Sequence, residues 1–121
     1  EAFQRAVFMM FLVSELHPFV DGNGRVARIM MNAELVASTE RRITVPTIFR
    51  SSYLTGLKAL SLNEVTQTLI RALDFLQRYT LAIDFSSYAE ARSALEATNA
   101  FRDPQQADAE GVRLRLRLRL A

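Results

Sequence analysis

The chain has 121 residues, of which 50% are hydrophobic, 15 are basic and 13 are acidic, and it contains no cysteine. This length allows one small domain with a core, and the lack of cysteine excludes disulfide frameworks and thiolate metal sites. No apolar run reaches the roughly 18 residues needed to cross a bilayer and no signal peptide is recognisable, so we expect a cytoplasmic bacterial protein without membrane partners.

The first predicted element is a helix from Phe3 to Leu16. Its residues are apolar on nearly every side, which is typical of a helix surrounded by others. The helix leads directly into His17, the only histidine of the chain. We therefore expect a buried helix to support that histidine.

Residues 17–28 read HPFVDGNGRVAR and begin with groups suited to phosphate chemistry. The imidazole of His17 can accept a proton from a hydroxyl near neutral pH. Asp21 offers the hard oxygen ligand that Mg²⁺ prefers, and the alternative for Asp21 is the N-cap of the next helix. We expect the ring of Phe19 to anchor this turn in the core.

The second half of this run predicts an anion site. Gly22, Asn23 and Gly24 carry little side-chain bulk, and a helix that starts here points free N–H groups at an anion. Arg25 and Arg28 follow at a spacing of three residues and lie on one face of that helix. Cations oppose the helix dipole at an N-terminus, so these arginines favour phosphate binding over stability.

This run is similar to the signature of the Fic family, HPFx[D/E]GN[G/K]RxxR, and every fixed position matches. The resemblance implies a mainly α-helical fold with the helical bundle core of Fic enzymes. It also implies a protein adenylyltransferase, which transfers AMP from Mg²⁺-ATP to a Ser, Thr or Tyr hydroxyl of a target protein.

Carried over from the family, His17 is the catalytic base and Asp21 the Mg²⁺ ligand. The amides of Gly22 to Gly24, with Asn23, would cradle the α- and β-phosphates, and Arg25 and Arg28 would hold the β- and γ-phosphates. Doc-type relatives, which transfer a phosphoryl group, typically have lysine at the position of Gly24. Glycine here favours nucleotidyl transfer.

Two alternatives to this function remain. The chain could bind a nucleotide without transferring AMP, or it could be a Fic enzyme that moves another phosphate-linked group or removes AMP. The signature specifies the phosphate geometry better than the base or the target.

The helix after Gly24 is predicted to end near Ser38. Its predicted apolar face consists of Val26, Ile29, Met30, Ala33 and Val36. The stretch from Arg42 to Arg50 is β-branched and interrupted by Pro46, which indicates an extended connection and not a central strand.

Two capping patterns predict further helices. Ser61 and Glu64 form a capping box before an apolar stripe at helical spacing. The stripe consists of Val65, Leu69, Ile70, Leu73, Leu76 and Tyr79. Ser87 and Glu90 repeat the pattern before a short helix that ends near Asn99.

The same glutamate suggests a second role. Fic enzymes are often inhibited by a helix that bears [S/T]xxxE[G/N], whose glutamate pairs with the second arginine of the signature. Ser86 and Glu90 fit this pattern, but Ala91 departs from it. A Glu90–Arg28 pair is therefore a hypothesis beside plain helix capping.

The C-terminal run Arg113 to Leu120 alternates arginine and leucine, which predicts an amphipathic edge strand or a frayed tail. No aromatic residue interleaves these arginines, so nucleic-acid binding has little support. We divide the chain into 1–103, the C-terminal portion of a Fic catalytic domain, and 104–121, a tail or edge strand.

Fic enzymes carry a β-hairpin flap upstream of the signature, which holds the target segment beside the histidine. Only 16 residues precede His17, and the chain begins with Glu. We therefore expect a fragment truncated at its N-terminus, with target choice or a regulatory partner residing in the upstream part.

Overall fold

The computed structural model describes residues 1–116, and within them the fold is mainly α-helical, as predicted. Six α-helices and no β-strand occur in this range. The helices are α1 Ala2–Leu16, α2 Asn23–Ala37, α3 Arg50–Asn63, α4 Gln67–Ala82, α5 Tyr88–Ala97 and α6 Pro104–Glu110. Two compact units result, Glu1–Ile43 and a second that begins at Thr44.

The first unit is a hairpin of α1 and α2. Arg5 near the start of α1 bonds Glu34 near the end of α2 at 2.8 Å, so the helices run antiparallel. The buried residues of each helix recur every three or four positions, which places them on one face of that helix. The two faces pack against each other. These residues are Ala6, Val7 and Met10 of α1 and Ala27, Met31 and Leu35 of α2.

The predicted packing of both helices needs correction. α1 is not enclosed on all sides, because Phe8 and Leu16 are 60% and 73% exposed. On α2 the predicted face is wrong, since Ile29 and Val36 are exposed and the buried stripe is shifted by about two residues. Both sides of α2 carry apolar residues, and the side against α1 is the one that became buried.

The chain beyond α2 is tied back to that helix by one side chain. Asn32 accepts a hydrogen bond from the Ile43 N–H at 2.7 Å and donates to its carbonyl oxygen at 3.0 Å. Residues 40–46 carry no regular secondary structure, as predicted, but a 3-10 turn at Thr47–Phe49 leads straight into α3. The extended connection is therefore shorter than predicted, and α3 is a helix that the sequence patterns missed.

In the second unit α3 packs against α4 at a close approach. A Cβ built on Gly56 of α3 would lie only 3.0 Å from the Cα of Leu69 in α4, so glycine permits the two backbones to meet. The interior face of α4 matches the predicted stripe at Leu69, Leu73, Leu76 and Tyr79.

Of the two predicted capping boxes, the one at Ser87 is confirmed in its N-cap bond. Ser87 caps α5 and accepts a hydrogen bond from the Glu90 N–H. The box at Ser61 is wrong, because α3 continues through Asn63 and Glu64 ends it in the left-handed conformation, with φ of 57°. The N-cap of α4 is Thr66 instead.

The predicted tail begins with α6, a helix that the sequence patterns do not predict. Residues 112–116 have no regular secondary structure, and the rest of the alternating run, from Arg117 to Leu120, lies outside the described residues. In the part of the chain that the structure covers, no helix is both long and apolar enough to cross a membrane. The division at residue 103 stays a prediction.

Candidate functional site

His17 ends α1 and opens the loop that leads to α2. It adopts the left-handed conformation, with φ of 51° and ψ of 53°, and its main-chain N–H donates to the Val13 carbonyl at 3.1 Å. Histidine is one of the few residues that enter this region without great strain. Its imidazole is exposed and has no hydrogen-bond partner among residues 1–116, so the ring is accessible to a substrate.

Asn23 closes this loop from the other end. Its side chain is 4% exposed, accepts a hydrogen bond from the Phe19 N–H at 3.0 Å and donates to the Phe19 carbonyl at 2.8 Å. The prediction that the Phe19 ring anchors the turn is wrong, since that residue is 51% exposed. The backbone of Phe19, not its ring, is what holds the loop.

This clamp changes the role expected for Asn23. Both ends of its side-chain amide are engaged within the loop, so its own contribution to an anion site is its main-chain N–H. The sequence offers no signal for the clamp, because an Asn four residues after a Phe is an ordinary spacing. The pair of bonds depends on the loop backbone bringing Phe19 next to the Asn23 side chain.

Asp21 is not the N-cap of α2, so that alternative is wrong. The N-cap is Gly22, whose φ of 78° suits glycine, and its N–H donates to Asp21 Oδ1 at 2.8 Å. Asp21 is exposed, and its second carboxylate oxygen has no partner in the described range. The carboxylate is therefore held by one oxygen and open at the other.

The N-terminus of α2 is uncapped by any side chain and carries no acidic residue in its first turn. The first helical bond runs from the Val26 N–H to the Gly22 carbonyl at 3.0 Å. The N–H groups of Asn23, Gly24 and Arg25 precede that bond and have no carbonyl partner within the helix. Free N–H groups and the positive end of the dipole attract anions.

Both arginines of the motif fold back over this turn. Arg25 Nη2 lies 3.6 Å from the point where a Cβ on Gly22 would stand, and Arg28 Nη1 lies 3.3 Å from the corresponding point on Gly24. The two guanidinium groups therefore lie beside the free N–H groups. In the structure, Arg25 lies beside Gly22 and Arg28 beside Gly24, which is the grouping that the sequence predicts.

A protein-only metal centre has no support in residues 1–116, where no three His, Cys, Asp or Glu side chains group together. Magnesium differs from zinc in needing one or two carboxylates, completed by phosphate oxygens and water. Asp21, with one free oxygen, fits that requirement when a nucleotide supplies the remaining ligands. The Mg²⁺ role of Asp21 stays a prediction.

Glu90 lies in the first turn of α5, in the second unit, and is exposed. Its pattern partner Ser86 bonds the Asp84 carboxylate through its hydroxyl at 2.6 Å. The inhibitory Glu90–Arg28 pair stays a prediction.

Together the fold and the loop define a helical protein with an uncapped helix N-terminus, flanked by two arginines, next to an accessible histidine. Residues 1–35 match the model of the Fic/DOC family. The predicted resemblance to the Fic family is therefore confirmed over this segment.

Several animal proteins match about half of the chain. The protein adenylyltransferase Fic of Drosophila persimilis is 36% identical over 53 residues, covering 44% of this chain and 10% of its own length. Its Drosophila melanogaster counterpart is 38% identical over 53 residues, with 44% and 11% covered. Protein adenylyltransferase fic-1 of Caenorhabditis briggsae is 31% identical over 62 residues, with 51% and 12% covered.

The chain thus spans about a tenth of the length of the curated relatives it matches. No solved structure matches it. The relatives are animal proteins, so bacterial origin and cytoplasmic location stay predictions.

Proposed function

We propose that this chain carries the catalytic segment of a protein adenylyltransferase, which transfers AMP from ATP to a Ser, Thr or Tyr hydroxyl of a target protein. The observation that carries the proposal is the clamped loop between α1 and α2. It joins an accessible imidazole at His17 to an uncapped helix N-terminus flanked by Arg25 and Arg28.

The polyphosphate would lie on the N-terminal turn of α2. Main-chain N–H groups of residues 23–25 would donate to the α- and β-phosphates, because they have no carbonyl partner in the helix. Arg25 and Arg28 would pair with the β- and γ-phosphates, where guanidinium groups form strong charge-assisted hydrogen bonds. Positioning and charge stabilisation of this kind supply most of the catalysis in phosphoryl chemistry.

His17 would act as the general base. As the target hydroxyl oxygen forms a bond to the α-phosphorus, the imidazole takes the hydroxyl proton. The bond between the α-phosphorus and the bridging oxygen to the β-phosphorus breaks, and pyrophosphate leaves with its electron pair. General-base catalysis of this kind contributes about 10²- to 10⁴-fold.

Asp21 would hold a Mg²⁺ ion through its free oxygen, with the nucleotide supplying phosphate ligands. When bound, the ion neutralises phosphate charge. The hydrogen bond from the Gly22 N–H keeps the Asp21 carboxylate oriented at the loop end of α2.

Gly24 supports nucleotidyl over phosphoryl transfer. A side chain at this position would start 3.3 Å from Arg28 Nη1, so a lysine there would have to share space with that guanidinium. Glycine leaves the arginine over the N-terminal turn, as nucleotide binding in the proposed orientation requires.

The test compares ATP labelled at the α-phosphate with ATP labelled at the γ-phosphate, incubated with the chain, Mg²⁺ and a cell lysate. The proposal predicts protein-bound label from the α-labelled nucleotide alone, absent with His17→Asn. Label from the γ-position would contradict it in favour of phosphoryl transfer. Nucleotide binding with no label from either position would favour a binding module.

A further inference from the structure

Residues 112–116, here called the C-terminal segment, are fixed along the end of α5. The Arg115 N–H donates to the Thr98 carbonyl at 3.1 Å, and the Asn99 side-chain amide donates to the Arg113 carbonyl at 2.9 Å. Residues 113 and 115 thus face the same neighbour. Bonds to one neighbour from residues that are two positions apart are typical of extended backbone.

Side chains of the segment alternate between the protein interior and solvent. Leu114 packs against the buried cluster at the end of α5, whereas Arg113 and Arg115 are exposed. Neither arginine has a carboxylate partner among residues 1–116. Three other exposed arginines do form ion pairs, in Arg5–Glu34, Arg78–Asp74 and Arg92–Glu96.

The charge distribution of the chain isolates these arginines further. All 13 acidic residues lie at or before Glu110, whereas four of the 15 basic residues follow it. The segment therefore starts a run of like charges, and no acidic residue follows Glu110. Like charges at alternate positions repel one another and favour an anionic partner.

One edge of the segment is unpaired. Since residues 113 and 115 bond toward α5, the main-chain N–H and C=O of Leu114 face the opposite edge, where no residue in the described range bonds them. Residues 112–114 also line an open cavity of about 720 Å³, to which the stacked rings of Phe49 and Phe75 contribute. An exposed row of unpaired main-chain groups is a template for another strand.

We propose that the C-terminal segment binds an extended acidic segment of a partner protein by strand addition. The partner backbone would pair with Leu114, and Asp or Glu at alternate positions would meet Arg113 and Arg115. Alternate residues of a strand are about 6.6 Å apart on both chains, so charges and main-chain bonds fit the same register.

Two other occupants fit less well. A second copy of this segment would place arginine opposite arginine, which is destabilising in paired strands. A single-stranded nucleic acid would be stabilised by stacking on aromatic side chains, and the run from Arg113 to Leu120 has none.

The experiment is fluorescence anisotropy with the whole chain and a labelled synthetic peptide of alternating Glu and Val. We expect saturable binding that Arg113→Glu/Arg115→Glu weakens at least tenfold. The matched control Arg42→Glu/Arg71→Glu makes the same charge change at exposed positions elsewhere and is expected to stay within twofold. A peptide N-methylated at alternate residues, which cannot donate the main-chain bonds, is expected to lose binding.

Several results would overturn the proposal. The first is that the peptide does not bind, and the second is that the control pair loses as much peptide affinity as the Arg113/Arg115 pair. The third is that the N-methylated peptide binds as tightly as the unmodified one, which would show that charge attraction suffices without main-chain bonds. Tighter binding of labelled oligothymidylate than of the peptide would assign the arginines to nucleic acid. Circular dichroism checks folding, and Arg113→Gln/Arg115→Gln, expected to weaken binding at least threefold, replaces the first pair if that pair unfolds.

Discussion

Asn23 holds Phe19 at both of its main-chain polar groups, through a hydrogen bond of 3.0 Å from the N–H and one of 2.8 Å to the carbonyl. The two residues bracket the segment that contains Asp21 and the N-cap of α2. Because the clamping side chain is buried, the loop is fixed from inside and the faces of His17 and Asp21 stay open.

Replacing Asn23 with Ala is expected to loosen this loop. It removes both bonds and leaves the Phe19 groups without partners, which costs about 1–3 kcal/mol of unfolding free energy. Nucleotide affinity should fall at least tenfold, because the loop that leads into the N-terminal turn of α2 is no longer held in one conformation. Urea denaturation and calorimetric titration with Mg²⁺-ATP measure the two effects.

Asn32→Ala is the matched control, because Asn32 makes the same pair of bonds to Ile43 away from residues 17–28. We expect a similar loss of stability with unchanged nucleotide affinity. If the Asn23 variant kept full affinity while losing stability, the loop would not depend on the clamp.

The two glycines of the turn predict different consequences of the same substitution. Gly24→Ala places a Cβ 3.3 Å from Arg28 Nη1 at a backbone conformation open to any residue, so nucleotide affinity should fall several-fold with stability nearly unchanged. Gly22→Ala meets only ordinary contacts but has φ of 78°, so it should lose about 1 kcal/mol of stability through strain. Equal losses of stability in both variants would contradict this division.

Gly56→Ala tests the close approach of α3 and α4. The added Cβ would lie 3.0 Å from the Leu69 Cα, and backbone atoms yield only if the helices separate. We expect a net loss of about 1–3 kcal/mol, larger than the gain of up to about 1 kcal/mol in helix propensity. Ser51→Ala, at an exposed position of α3, should change the unfolding free energy by less than about 0.5 kcal/mol. A stabilised Gly56 variant would show that the helices have room to spare.

Tyr79 predicts a loss of stability at alkaline pH. Burial raises the pKa of its phenol above 10.0, and the hydrogen bond with the Thr98 hydroxyl at 2.6 Å opposes part of that rise. The folded state therefore favours the neutral phenol. The stability that this preference contributes is fully present below the pKa of the phenol in the unfolded chain. It is lost as the pH rises through the folded pKa.

Urea denaturation between about pH 9 and pH 11.5 measures this dependence. Tyr79→Phe should flatten the decline above pH 10, whereas Tyr88→Phe, at an exposed tyrosine, should keep it. An unchanged decline in the Tyr79 variant would assign the alkaline loss to other groups.

Local patterns predict the start of the chain well. α1 and α2 have their bounds within one or two residues of those predicted, because Pro18 and Gly22 mark the break and the helical residues flank it. That His17 ends α1 and that Arg25 and Arg28 lie one turn apart at the start of α2 follows from their order and spacing in the sequence. Helix bounds and the order of these residues are set by amino acids close together in the sequence, so local patterns predict them.

Packing and backbone detail were not predictable in the same way. Apolar residues lie on two sides of α2, and only the position of α1 selects Ala27 and Met31 as interior. Ser61 and Glu64 fit a capping box, yet the same residues fit the last turn of a helix, and the left-handed Glu64 decides between them. The Asn23 clamp depends on where the Phe19 backbone lies, which composition does not encode.

Intact-protein mass spectrometry after incubation with Mg²⁺ and ATP shows whether His17 serves as the base of an AMP transfer. The comparison is between the wild-type chain and His17→Asn, since Asn also tolerates the left-handed backbone of residue 17 and should preserve the loop. We expect a covalent adduct of one AMP on the wild-type chain that is absent from the variant, although both bind Mg²⁺-ATP equally. No adduct on either protein, or equal adduct on both, would contradict a transferase that uses His17 as its base.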